Sequence, residues 1–236
     1  MQIPLYQIIE NEIKEQIQSK KLKEGDLIPS ENQLTEIYNV SRMTVRQALN
    51  NLVNDGYLYK HKGRGTFVAP RKIEKSIQGV RGFTEEMEGL GKVVSSKVVK
   101  FLVLEPSEEI REKLFLKEDE KAIYVERIRY GDKMPILFET LYIPQNLFKD
   151  LTAADMEESF YTYIEKEKGY RVSHCVQSIE AQMPKSKHAE MLKINKNMPV
   201  LKIIRNTFLN NGRPFEYVIS IYRSDQYRFV QYAFKG

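Results

Sequence analysis

The sequence predicts two domains of different class: a short, mostly helical N-terminal domain ending in a basic hairpin, and a larger α+β domain built on an antiparallel sheet. Three observations carry this. Apolar residues recur at helical spacing as far as Val53. A polar run without strong periodicity follows at residues 70–77. Beyond it, seven segments rich in β-branched and aromatic residues alternate with short helical patterns.

In the first domain, Leu5, Ile8, Ile9, Ile13 and Ile17 form one apolar stripe on a long helix. A second helix opens at Ser30, which stands at capping-box spacing from Gln33, and Leu34, Ile37 and Tyr38 supply its inward face. Asn39 and Val40 turn the chain directly into Ser41, the cap of a third helix. There Val45, Ala48, Leu49, Leu52 and Val53 point to a core, leaving the basic and hydroxyl side chains of the first turns outward. Gly56 ends this helix. Strand-like runs at residues 57–60 and 66–68 flank Lys62-Gly63-Arg64-Gly65, a narrow tip that can approach a phosphate backbone or enter a minor groove. Each piece alone also fits an ordinary core helix or hairpin. Together, in this order, they make a winged helix-turn-helix, whose third helix suits a DNA major groove. The basic excess groups at Arg42, Arg46, Lys60, Lys62, Arg64, Arg71 and Lys72, as phosphate neutralisation requires.

The boundary falls at residues 71–77, so that residues 1–70 form the first domain and 78–236 the second. Strands are expected at residues 93–104, 123–130, 136–143, 172–182, 200–209, 214–222 and 227–234, and helices at 107–115, 159–168 and 185–192. Gly131-Asp132 and Asn211-Gly212 mark two hairpins. Arg127 and Arg129 lie two apart and so share one strand face, a clamp for a phosphate or carboxylate. Glu139 and Glu216 are carboxylates inside apolar strands, and Ser159-Phe160-Tyr161 starts a helix, where free amides favour an anion. An alternative reading makes Arg127, Arg129, Glu139 and Glu216 plain ion pairs on a solvated sheet face. Tyr124, Tyr130, Phe138, Tyr142 and Tyr217 are expected to be core or surface cladding.

Composition excludes several classes. The 42% hydrophobic and 29% charged content is that of a chain with a globular core. No apolar run approaches the ~18 residues of a membrane span, and the N-terminus lacks the pattern of a signal peptide. A single cysteine, Cys175, rules out an internal disulfide framework and fits a reducing cytoplasm. The three scattered histidines have no cysteine partners at metal spacing, so neither metal nor cofactor is expected.

Pro29-Ser30-Glu31, the run from Ser41 to Leu49, and Gly63 to Val68 resemble the DNA-binding head of the GntR family of bacterial transcription factors. The resemblance implies DNA contacts from Arg42, Thr44 and Arg46 on the recognition helix, with Ser41 and Gln47 beside them. Ser30 and Glu31 would sit at the start of the preceding helix, and Lys62, Gly63, Arg64 and Gly65 would form the wing contact. One departure is Asn32, where many members carry an arginine that touches DNA. Phe83-Thr84, Glu126 to Arg129, Glu139 with Ile143-Pro144, Ser159 with Tyr161, and Glu216 through Arg223 resemble the UTRA effector domain of the HutC subfamily, extending to its regulators of amino-sugar utilisation. That implies a chorismate-lyase-like fold. It also implies an effector site in which Phe83, Thr84, Arg127, Arg129, Ser159 and Tyr161 hold a sugar phosphate while Glu139, Glu216 and Tyr222 meet the sugar ring. The expectation is a cytoplasmic, non-enzymatic repressor of a sugar or amino-sugar operon. Its partners would be palindromic double-stranded operator DNA, a small anionic effector and a second copy of itself, with no membrane. The C-terminal strand would serve dimerisation, and ligand would order the segment around Phe83-Thr84. The competing expectations are a chorismate-lyase-like enzyme acting on a small anion, against which no nucleophile or acid–base pair stands out, and a regulator sensing a non-sugar carboxylate.

Overall fold

The computed structural model describes residues 3–19, 21–69, 72–77, 79–231 and 233. The chain divides into two compact units, Met1–Lys72 and Ile73–Gly236.

In the first unit, α1 (Leu5–Gln18), α2 (Glu31–Tyr38) and α3 (Arg42–Asn54) precede a hairpin of β1 (Leu58–His61) and β2 (Gly65–Val68). Ile9 and Ile13, one turn apart on α1, pack with Leu34, Val45, Ala48, Leu49 and Leu52 into one core. The outer members of the expected stripes do not join it: Leu5 and Ile8 are exposed, and Ile37 is 62% exposed. A helix of this length turns only its Leu34–Tyr38 edge to α3, and Ile37 lies off that edge. Polar ties reinforce the packing, with Asn51 donating to Glu10 at 2.7 Å and Lys14 to Asp55 at 3.1 Å.

The second unit opens with β3 (Ile73–Ser76) and α4 (Phe83–Gly89), then β4 (Val94–Leu104), α5 (Glu108–Leu114), β5 (Ala122–Gly131) and β6 (Met134–Pro144). There follow α6 (Ala153–Glu157), α7 (Phe160–Thr162) running on into a π-helical turn (Tyr163–Glu167), β7 (Val172–Gln182), α8 (Ser186–Met191), β8 (Val200–Leu209), β9 (Pro214–Arg223) and β10 (Tyr227–Val230). Six strands form one antiparallel sheet in the order β4-β5-β6-β9-β8-β7. Asp132 and Lys133 both take positive φ, which gives the β5–β6 turn the twist a two-residue hairpin needs. Val125, Leu141, Phe160, Ile164, Phe215 and their neighbours fill one face of the sheet. The other face packs Ile110 and Leu114 of α5 and Leu192, just past α8. Tyr217 and Phe138 are core residues of that second face, as expected of cladding aromatics.

Several elements differ from the sequence reading, among them α6, a short helix over Ala153–Glu157 that was not expected. Residues 73–76, expected to be linker, form β3, which pairs in parallel with β10. Two adjacent charged residues, Glu74 and Lys75, hide the strand pattern, because one of the inward residues is Lys75. The strand expected at residues 227–234 is observed as β10 over Tyr227–Val230. Residues 227–230 spend one edge on β3 and bury Tyr227, while residues 232 and 234 lie outside the described residues. Helix α4 was not foreseen either. It runs Phe83–Gly89 and buries Phe83 and Met87.

Candidate functional site

The head presents its polar face on α3 and the hairpin. Ser41 Oγ accepts from the Thr44 amide at 3.2 Å and so frees α3 to start in the open. Arg42, Arg46 and Gln47 are exposed, Thr44 half-buried, and Val45, Ala48 and Leu49 buried behind them. Ser30 closes the predicted capping box with Gln33, placing Glu31 in the first turn of α2. There Glu31 accepts from Arg42 Nε at 3.1 Å and from Arg46 Nη2 at 3.0 Å. The hydrogen bond from Arg46 holds the Glu31 carboxyl below its ordinary range, against the opposing effect of burial. Glu31 is therefore an acidic clamp that splays two guanidinium groups side by side. At the wing, Lys62, Gly63, Arg64 and Gly65 are all exposed. Gly65 has φ +119°, and a Cβ there would stand 2.7 Å from Leu27 Cδ1, so the tip requires glycine. Tyr59 and Phe67 stack at 5.5 Å to stiffen the hairpin. Asn32 is exposed on the first turn of α2.

The second unit encloses a cavity of about 40 Å³ between the sheet, β3, α4 and α7. Phe83, Thr84, Arg127, Arg129, Glu139, Ser159, Tyr161, Glu216 and Tyr222, drawn from sequence positions far apart, all line it. The solvated-face alternative fails, since Arg127, Arg129, Glu139 and Glu216 are only 5%, 2%, 8% and 3% exposed. Cross-strand register explains the convergence: Arg127 faces Glu139, Glu139 faces Ser220, and Thr207 faces Glu216.

Most polar groups here already hold one another. Arg127 donates from Nε to Glu139 at 2.7 Å and from Nη1 to the Met156 carbonyl at 2.8 Å. Glu216 Oε1 accepts from Tyr161 Oη and from Thr207 Oγ1, each at 2.8 Å. Ser159 Oγ caps the Thr162 amide at 3.3 Å, so the helix start is partly satisfied from within. Burial pushes Glu139 up, but the charges of Arg127 and Arg129 outweigh it and hold the carboxyl below its usual range. For Glu216 burial prevails over the nearby Arg205, and its pKa rises.

Arg129 is the exception. Nη2 donates to Thr84 Oγ1 at 2.6 Å and the guanidinium lies 4.9 Å from the centre of the Phe83 ring, yet Nε is buried without a partner. Burial first, and the Arg127 charge second, pull its pKa down to about 9. A buried cation facing another cation, without a carboxylate of its own, is a site short of one negative charge.

Among the charged lining residues, Lys75, Arg81 and Arg205 escaped the sequence reading. Arg205 on β8 donates to Gln177 at 3.2 Å, with its Nε also buried and unpartnered. Its signal was a lone arginine in an apolar strand. Lys75 on β3 was hidden in the supposed linker. Beyond the partly buried Tyr161 lies a second space of about 590 Å³ that shares Gly82, Thr84, Ser159 and Tyr161 with the cavity. Among the described residues there is no cluster able to hold a metal ion and no helix long and apolar enough to cross a membrane.

Residues 5–68 match the model of the bacterial regulatory proteins of the gntR family, and residues 89–228 match the UTRA domain. The chain is a GntR-family regulator with a UTRA effector domain. It is similar to the HTH-type transcriptional repressor NagR of Bacillus subtilis, at 37% identity over 98% of this chain and 95% of that one. It is also similar to the mannosyl-D-glycerate transport/metabolism system repressor MngR of Escherichia coli, at 33% over 98% and 96%. Among solved structures, PhnF from Mycobacterium smegmatis superposes with a TM-score of 0.76 at 25% identity, covering 98% of this chain and all of that one. As a GntR regulator the chain is a DNA-binding transcription factor that responds to a small molecule, and the chorismate-lyase-like enzyme reading falls away.

Proposed function

We propose that this regulator represses a sugar or amino-sugar utilisation operon in the cytoplasm, binds a palindromic operator as a homodimer through two winged heads, and is released or modulated by a phosphorylated sugar. The observation that carries the effector class is Arg129, a buried guanidinium beside Arg127 with an unpartnered Nε. Paired guanidinium groups grip a phosphate bidentately, and an anion supplies the negative charge that Arg129 lacks. Glu139, Glu216 and Tyr222 add acceptors and a donor suited to sugar hydroxyls. The names of the relatives, a repressor of mannosyl-D-glycerate metabolism among them, agree with a carbohydrate signal.

Tyr161 lines both the cavity and the larger space beside it, and its hydroxyl donates to Glu216. On the DNA side, two symmetric heads would place two α3 helices in successive major grooves.

The test is a thermal-shift panel of glucosamine 6-phosphate, N-acetylglucosamine 6-phosphate, other sugar phosphates and small carboxylates. A specific ligand at a hundredfold excess over its Kd adds ~2.7 kcal/mol. A response to carboxylates alone would replace the sugar-phosphate assignment, and no response to any anion would refute the reading of the cavity.

A further inference from the structure

Lys75 sits two residues after the start of the second unit, on β3, and is 6% exposed. Lysine is almost never this buried without a partner, and here the partner is Glu86 of α4, 2.9 Å from its ammonium. Alternation along β3 sends Ile73 and Lys75 inward together. Ile73 meets an apolar cluster, whereas Lys75 reaches the cavity wall beside Arg127, Arg129 and Tyr222, with its ammonium 5.8 Å from the centre of the Tyr222 ring. A buried pair of this kind contributes little stability that two apolar side chains would not match. Its location against the cation-rich cavity gives it a different use.

We propose that Lys75 is a further ligand-binding residue, held by Glu86 until an anion entering the cavity competes for its ammonium. The inference rests on the anionic-effector reading above. An ammonium has three donors and turns freely about a flexible stem, so it can pass from one acceptor to another without rebuilding its surroundings. The same short helix already supplies the resting acceptor for the other cation, through Thr84 Oγ1 on Arg129. Both acceptors that an anion would displace thus belong to α4. Lys75 lies on β3, the strand that follows the head directly in sequence.

The test titrates the full chain with glucosamine 6-phosphate, and separately with inorganic phosphate, by calorimetry. Wild type, K75M, E86Q, the neutral pair K75M/E86Q and R129M are compared. K75M should weaken binding about tenfold or more, the scale of one lost charge-assisted hydrogen bond. E86Q should tighten it about threefold or more, because the competitor for Lys75 loses its charge. The double variant, which leaves no buried charge unpaired and so protects the fold, should match K75M. Opposite signs from the two halves of one ion pair cannot come from simple structural damage. Equal weakening by K75M and E86Q, or wild-type affinity in the double variant while R129M loses binding, would overturn the assignment and leave the anionic-effector reading standing. If wild type binds neither probe, both fall together.

Discussion

Replacing Arg129 by methionine should make the ligand-free protein more stable while removing its response to the effector. The variant loses one charge-assisted hydrogen bond to Thr84, worth ~1.5–3 kcal/mol, and a cation–π contact over Phe83 of ~0.5–2 kcal/mol. It also loses part of the attraction that keeps Glu139 ionised, although the direct pair with Arg127 persists. Against these stands the desolvation of an uncompensated guanidinium, whose pKa is lowered from 12.5 to about 9. At ~1.4 kcal/mol per unit that is roughly 4–5 kcal/mol. The midpoints favour methionine by about 1 kcal/mol, a rise of about 2–4 °C in Tm for a domain of this size. The sign with pH follows from the same shift. Below pH 9 both the folded and the unfolded arginine are charged and the penalty is fully present. Above it the folded protein releases a proton that the unfolded chain keeps, so the wild type gains on the variant. The assay is thermal and urea unfolding of the ligand-free protein at pH 7 and pH 10, followed by titration with glucosamine 6-phosphate. A ligand-free R129M with a clearly lower Tm than wild type at pH 7 would refute the reasoning.

Three further outcomes are expected. Glu31→Gln frees Arg42 and Arg46 from their shared carboxylate, so the slope of log K against log salt should steepen by ~0.9 while discrimination between operator and random DNA falls; filter binding over a salt series measures both. Gly65→Ala places a side chain at φ +119° against Leu27, which should destabilise the hairpin by ~1–3 kcal/mol and weaken operator binding in a footprinting assay. His188, whose Nδ1 is buried without a partner and whose ring lies 5.5 Å from Phe138, has its pKa lowered by burial and then by Lys185 and Lys187. As pH falls through 6.5 the unfolded chain takes up a proton that the folded one resists, so wild type should lose stability relative to His188→Leu between pH 7.5 and 5.5; equal losses would count against it.

Local rules made the head legible almost residue by residue. The Ser30–Gln33 capping box, the Ser41 cap and the glycine-flanked wing tip act over a few bonds, and each stands where its spacing implied. The strands of the second domain were legible for a similar reason, since β-branched runs and an Asn211-Gly212 turn are local signals. The charged motifs of β5, β6 and β9 pointed to the cavity, but only as residue types at intervals. Chain-local patterns faded where a segment gains its shape from a remote partner: β3 exists because β10 pairs with it, and α4 because Phe83 and Met87 have a core to enter.

The sequence by itself determined the kind of molecule, a winged reader of DNA joined to an α+β sensor bearing two neighbouring arginines. Only the tertiary structure decided which charges cancel. Strand register joins Arg127 to Glu139 and leaves Arg129 without a carboxylate, while the β3–β10 pairing carries Lys75 into the same wall. Electrostatic energy depends on distance and desolvation in space, and neither is a property of spacing along the chain.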